Sequence, residues 1–164
     1  MKRTKLFTGL LLAGATLFFV VTGCKKSNDG SGGSGVSATV AGTAWQSQYV
    51  TGVNAYGYTL LTGYYGKSGD TSMFGISIED SVKVNQPDSL YLTSLSYTKS
   101  DQTTYSGGYF IANYSSHGIV TVTSWDKNAH KIAGTFTGVL YNGNYSTDSV
   151  KVDNGHFNTT YTVQ

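Results

Sequence analysis

The chain has 164 residues, with 21 Gly, 13 Tyr, one Pro and one Cys, and its 11 Lys+Arg against 9 Asp+Glu give a formal net charge of +2. That length allows one domain at most, and a lone Cys excludes both a disulfide framework and a zinc site made of several thiolates. With 39% hydrophobic and only 12% charged residues, the chain is neither acidic disordered material nor a helical bundle built from Ala, Glu, Lys and Leu.

The first 23 residues, MKRTKLFTGLLLAGATLFFVVTG, begin with Lys2, Arg3 and Lys5 and run into an apolar stretch from Leu6 to Val21. That stretch falls short of the roughly 20 apolar residues of a spanning helix and has the form of a secretory signal. Val21-Thr22-Gly23-Cys24 closes it and resembles the bacterial lipobox, in which small residues precede a Cys that is acylated and becomes the mature N-terminus. The resemblance implies a lipoprotein signal peptide over 1–23 and a lipidation site at Cys24 carrying palmitate-type acyl chains. Each buried methylene contributes about 0.8 kcal/mol, so more than one chain anchors stably where a single chain is marginal. Lys25 and Lys26 lie on the side that would be exported, against the usual bias of an uncleaved anchor.

Without residues 1–23 the charge reverses: 8 Lys face 9 acidic residues, and no Arg is left. Arg reads phosphates and base edges in a bidentate fashion, so its absence argues against a nucleic-acid partner. Residues 24–35 comprise the acylated Cys and a Gly/Ser-rich tether, KKSNDGSGGSG, whose coil spans roughly 18 Å. Similarity to Gram-negative lipoproteins implies transfer to the outer membrane, since Lys25 rather than Asp follows the Cys. Only Asp29 is available as an acidic mark for surface export, so the periplasmic and external faces are both left open.

From Val36 to the end, 36–164, the chain reads as a single β domain. β-branched and aromatic runs at 36–41, 44–51, 55–65, 71–79, 89–98, 104–114, 119–125, 130–141, 147–153 and 156–163 are the expected strands. Phe74, Ile76 and Ile78 alternate with Gly75, Ser77 and Glu79, while Ile132, Phe136 and Leu140 share a face opposite Lys131. Turns are expected at Lys67-Ser68-Gly69-Asp70, Ser115-Ser116-His117-Gly118, Asp126-Lys127-Asn128, Asn142-Gly143-Asn144 and Asp153-Asn154-Gly155. No stretch after the signal has a helical apolar period. The fold class is therefore all-β: an antiparallel β-sandwich or an up-and-down barrel of about eight to ten strands.

The start of this domain, Ser37-Ala38-Thr39-Val40-Ala41-Gly42-Thr43-Ala44-Trp45, and its end are similar to a β-rich domain of unknown function in bacterial lipoproteins. The segments at the end are Ile119-Val120-Thr121-Val122-Thr123-Ser124-Trp125-Asp126, Lys131-Ile132-Ala133-Gly134-Thr135-Phe136 and Val152-Asp153-Asn154-Gly155-His156-Phe157. The resemblance implies a fold and a location, and brings no chemistry with it.

Catalytic and metal signatures are weak. His117, His130 and His156 fall at or next to expected turns with no HExxH spacing, so they read as solvated, and no metal or cofactor is expected. There is no GxSxG elbow, and Glu79 and Asp80 are adjacent, so on a strand they point to opposite faces. No catalytic residue is assigned, and the chain reads as a non-enzyme. Tyr is the informative residue, because its rigid ring with a polar tip can stack on sugars or hold a protein. Tyr56 and Tyr58 are expected on one face, Tyr91 and Tyr97 on one face, and Tyr64 and Tyr65 on opposite faces; the first four are the candidate ligand-binding residues. Asp80-Ser81-Val82, Asp88-Ser89-Leu90 and Asp148-Ser149-Val150 resemble an O-glycosylation pattern of exported Gram-negative proteins, with Ser81, Ser89 and Ser149 as acceptors.

The expectation is thus a lipid-anchored envelope or surface lipoprotein, acting as a non-catalytic binding or structural module. Its partners would be the membrane through Cys24 and a glycan or envelope protein. A lipocalin-like carrier of a small apolar ligand is the alternative and needs a deep cavity. A small hydrolase is the third reading and needs His and carboxylates converging in a cleft.

Overall fold

Strict alternation of apolar with small or polar residues gives each strand one face to bury, and the alternation is visible in β5 (Met73–Glu79), where Phe74, Ile76 and Ile78 are buried. The computed structural model describes residues 34–66, 69–108, 117–143 and 147–164. The chain before β5 forms β1 (Gly35–Val40), β2 (Thr43–Gln46), β3 (Tyr49–Ala55) and β4 (Tyr58–Tyr64). After it come β6 (Pro87–Asp88), β7 (Thr93–Thr98), β8 (Thr104–Gly108), β9 (His117–Asp126), β10 (Lys131–Tyr141), β11 (Ser149–Thr160) and β12 (Thr162–Val163). The protein is all-β.

The strands form one 12-stranded sheet in the order β12-β3-β4-β5-β7-β8-β10-β11-β1-β2, with β9 beside β10 and β6 beside β9. Among the described residues the pairs are antiparallel except β12 beside β3. The sheet does not close into a barrel; its form is that of a sandwich. One edge of β10 is shared, with β9 along Lys131 to Val139 and β8 at Tyr141 alone, and there the sheet folds over on itself. Strands far apart in the order then meet across the core. Phe74 on β5 lies 4.9 Å from Trp45 on β2 and 5.5 Å from Phe136 on β10, ring centre to ring centre. Between β2 and β3 the chain changes layers within two residues, as the Ser47 amide donates to Val36 O and the Gln48 amide to Tyr64 O. Gly63 permits this corner, because a Cβ there would meet Val36 at 2.9 Å.

Several expected boundaries shift for physical reasons. The expected strand 55–65 begins only at Tyr58, because Tyr56 (φ 53) and Gly57 (φ 84) form a two-residue hairpin turn with both residues left-handed. Strands 147–153 and 156–163 merge into β11, and Asp153-Asn154-Gly155 is a bulge instead of a turn. Opposite Phe136 to Gly138 on β10, β11 carries one extra residue, with Asn154 at φ 50. Gly155 is required there, since a Cβ would strike the Phe136 ring. His117 and Gly118 are strand residues of β9 instead of a turn. Strand 89–98 starts at Thr93 because the Asp88 carboxylate organises the preceding loop, accepting from the Tyr91 amide at 3.0 Å, the Leu92 amide at 3.1 Å and the Thr93 hydroxyl at 2.6 Å. The two-residue strands β6 and β12 raise the count above the expected eight to ten. The signal, Cys24 and the tether to residue 33, the second half of strand 104–114, and the turn positions 67–68, 115–116 and 144 lie outside the described residues.

Candidate functional site

The two outward faces of the fold differ in chemistry. Over β9, β10, β11 and β1 the outward residues include His117, Lys131, Lys151, Asp153 and His156, with a Lys151–Asp153 ion pair at 3.1 Å between exposed side chains. Over β3, β4, β5, β7 and β8 they are nearly uncharged. The tight turn at Tyr56-Gly57 fixes the β3–β4 register, so Ala55 faces Tyr58, Val53 faces Leu60, Thr51 faces Thr62 and Tyr49 faces Tyr64. In β4 Thr59, Leu61 and Gly63 are buried, which turns Tyr58, Leu60, Thr62 and Tyr64 outward.

Further along the same rows the side chains become small. Tyr64 pairs with Met73, Thr62 with Gly75, Leu60 with Ser77 and Tyr58 with Glu79. Gly75 then pairs with Ser96 and Ser77 with Ser94, and on β8 Ser106 continues the row of Ser96 while Gly108, which is buried, ends that of Ser94. The result is a ridge of bulky residues on β3 and β4 beside a shelf of hydroxyls and glycines on β5, β7 and β8. Gly75 keeps the shelf flat, because a Cβ would meet Ser96 Oγ at 2.5 Å. Ser96 Oγ reaches Gly75 O at 3.5 Å, whereas among the described residues the Ser77, Ser94 and Ser106 hydroxyls have no hydrogen-bond partner within the chain. Glu79, at one end, accepts from the Ser81 hydroxyl at 2.9 Å.

The predicted tyrosines divide. Tyr56 projects fully from the turn (101% exposed), and Tyr58 stands exposed at the adjoining end of the ridge. Tyr91 is exposed, on the loop before β7 and off the ridge. Tyr97 is corrected from a surface position to the core. It is 9% exposed, its ring centre is 5.0 Å from that of Phe74, and burial raises its phenol pKa above the ordinary value. Odd positions of β7 face inward, whereas Tyr91 precedes the strand, so the two share no face. Tyr64 and Tyr65 do diverge: Tyr64 is outward and Tyr65 packs against the core, 6.1 Å from Trp45.

Ridge members Tyr49 (67% exposed) and Leu60 (51% exposed) went unpredicted, as did the shelf serines. Once the turn is placed at Tyr56-Gly57, alternation through YTLLTGY identifies the outward set; a strand drawn from 55 hides the turn. Also unpredicted is a polar link at the corner between β8 and β10. Lys99 Nζ donates to the Tyr105 hydroxyl at 2.7 Å, and that hydroxyl donates to Asp148 Oδ2 at 3.1 Å. The Tyr105 hydroxyl beside it raises the Lys99 pKa.

Ser81, Ser89 and Ser149 share one arrangement: each is exposed, and the apolar residue after each, Val82, Leu90 or Val150, is buried. Their preceding aspartates have structural partners. Asp80 accepts from the Asn54 amide group at 2.8 Å, Asp88 holds its loop, and Asp148 holds Tyr105. His117, His130 and His156 are exposed and separate, and among the described residues no group of three His, Cys, Asp or Glu is placed to hold a metal ion. An open hollow of about 480 Å³ lies beside β9 and β10, lined in part by Ser89, His117, Ile119, Val139 and Lys151.

Fold and faces together define an all-β domain with one neutral, aromatic-edged sheet face. No protein-family model, no curated protein and no solved structure matches this chain.

Proposed function

We propose that the protein is a lipid-anchored envelope module without catalysis, held in the outer membrane through Cys24, whose ligand docks on the outward face of β3, β4, β5, β7 and β8. The observation that carries this reading is the exposed ridge of Tyr49, Tyr58, Leu60 and Tyr64 beside Ser77, Ser94 and Ser106, which have no hydrogen-bond partner among the described residues, on a face whose described strand residues include one charge, Glu79. Single exposed aromatic residues are ordinary, but a contiguous row of them marks an interaction surface. The tether and the lipobox resemblance support the membrane address. The interior, filled by Phe74, Phe136 and Phe157, favours a surface binder over a carrier.

In a Gram-negative host the full-length protein should incorporate an alkyne-palmitate label, and Cys24→Ser should lose it. The Cys24→Ser protein, which has no acyl chains to insert, should still bind isolated envelope fragments of its native host through the face. Adding Ser94→Arg to it sets a long cation on the shelf and should abolish that binding, while Ser94→Arg alone should leave the label in place. An unlabelled wild type overturns the anchor, and binding indifferent to Ser94→Arg overturns the face.

A further inference from the structure

Resting on the binding face just proposed, we infer that its ligand is a neutral, extended glycan lying on the serine shelf against the β4 ridge. Three features of the face select this chemistry. First, no Lys, Arg or His stands among the outward residues of β3, β4, β5, β7 and β8. An acidic sugar, a phosphate or a sulfate would be desolvated there without a cation to pair with, and that penalty is large. Second, the shelf offers neutral hydroxyls. Ser77, Ser94 and Ser106 can each donate and accept, which matches sugar hydroxyls and gives an apolar helix nothing to bury against. Third, the ridge supplies aromatic faces at both ends of one strand. Tyr58 and Tyr64 are six residues apart on β4, roughly 20 Å at the rise of a strand, which suits a chain of several sugars better than a single one.

The turn at the end of the ridge points the same way. Tyr56 is fully exposed and yet left-handed at φ 53, a conformation that favours Gly or Asn. The fold gains nothing from Tyr there, since the ring packs on nothing. A ring held past the end of the ridge extends the line of Tyr64, Leu60 and Tyr58, and gives the glycan a further stacking surface.

The test uses full-length protein in a sugar-free detergent, titrated with soluble neutral polysaccharides (starch, xyloglucan, mixed-linkage β-glucan and galactomannan) and with acidic ones (polygalacturonate, alginate and heparin). At least one neutral polymer should bind and the acidic ones should not. Tyr64→Ala should weaken that binding by about tenfold, the order expected for one stacked aromatic ring. Ser94→Arg should abolish it, with circular dichroism unchanged in both variants. Preference for the acidic polymers overturns the inference. So does the absence of binding to every polymer; envelope-fragment binding that remains sensitive to Ser94→Arg would then leave the face standing with a different ligand. Glycan binding indifferent to both variants overturns the inference and the face together. A dimer that Ser94→Arg converts to monomer assigns the face to a second copy of the chain and also overturns it.

Discussion

Tyr49 on β3 and Tyr64 on β4 stand directly opposite each other across the antiparallel pair, both exposed on the neutral face of the sheet. Cross-strand aromatic pairs contribute roughly 0.2 to 1 kcal/mol to a sheet, so the fold depends on this pair only slightly. Replacing both by Ala should lower stability by no more than about 1 kcal/mol and should remove ligand binding by the face. Urea unfolding beside a binding titration separates the two effects. A collapse of stability would assign the pair to the fold instead of to recognition.

Tyr56 sets stability against function in one residue. Its left-handed backbone costs roughly 1 to 2 kcal/mol for a residue with a Cβ, and Asn or Gly occupies that conformation more easily. Tyr56→Asn should therefore raise the melting temperature, by about 2 to 4 °C per kcal/mol recovered for a chain of this size, while weakening glycan binding. A variant that melts lower than the wild type would mean that the ring makes contacts the fold needs.

The three Asp-Ser-apolar triplets are built alike, with an anchored apolar residue after an exposed serine. A sugar on Ser81, Ser89 or Ser149 would extend into solvent. Protein purified from its native host should show hexose-sized mass increments that fall away one by one in Ser81→Ala, Ser89→Ala and Ser149→Ala. A single unmodified mass removes the glycosylation reading, and the aspartates then stand as loop and corner fasteners alone.

What was legible in the sequence was local. Alternation alone identified the buried sets Phe74, Ile76, Ile78 and Ile132, Phe136, Leu140, because period two is a property of each strand by itself. The Asn-Gly of the bulge misled because left-handed residues serve turns and bulges equally; only the partner strand tells them apart, with Phe136 facing Gly155 and Gly138 facing Val152. Tyr-Gly is a poor turn signal, which hides the hairpin at Tyr56 and with it the outward set of β4. The serine shelf was beyond reach for another reason. It exists only through the register that sets Thr62 by Gly75 by Ser96, and register across four strands is not written in any one of them.

Gly155 and Phe136 make the bulge a packing requirement. A Cβ on Gly155 would overlap the Phe136 ring, which is fully buried at the centre of the core. Gly155→Ala should cost about 1 to 3 kcal/mol, the usual range for overpacking a close-packed interior. Phe136→Leu should relieve part of that loss in the double variant, so the two changes should be non-additive. Strict additivity in denaturant unfolding would show that the ring moves aside freely.

The protein should also lose stability in alkali, and the sign follows from two groups on β7 and just after it. Burial raises the Tyr97 phenol pKa, with the Ser72 hydrogen bond opposing it, and the Tyr105 hydroxyl raises that of Lys99. A folded-state pKa above the unfolded value means that the native state holds its proton longer. The associated stability is complete below the unfolded values, about 10 for both residue types, and drains away as pH rises through the folded ones. Melting temperatures should thus be level from pH 7 to about 9.5 and fall beyond it. Tyr97→Phe keeps the ring against Phe74 but has no phenol proton, so it should flatten part of the alkaline fall. Lys99→Met should flatten a smaller part, because Lys99 is solvent-screened while Tyr97 is walled in by the core. An alkaline slope unchanged in both variants would place the titrating group elsewhere.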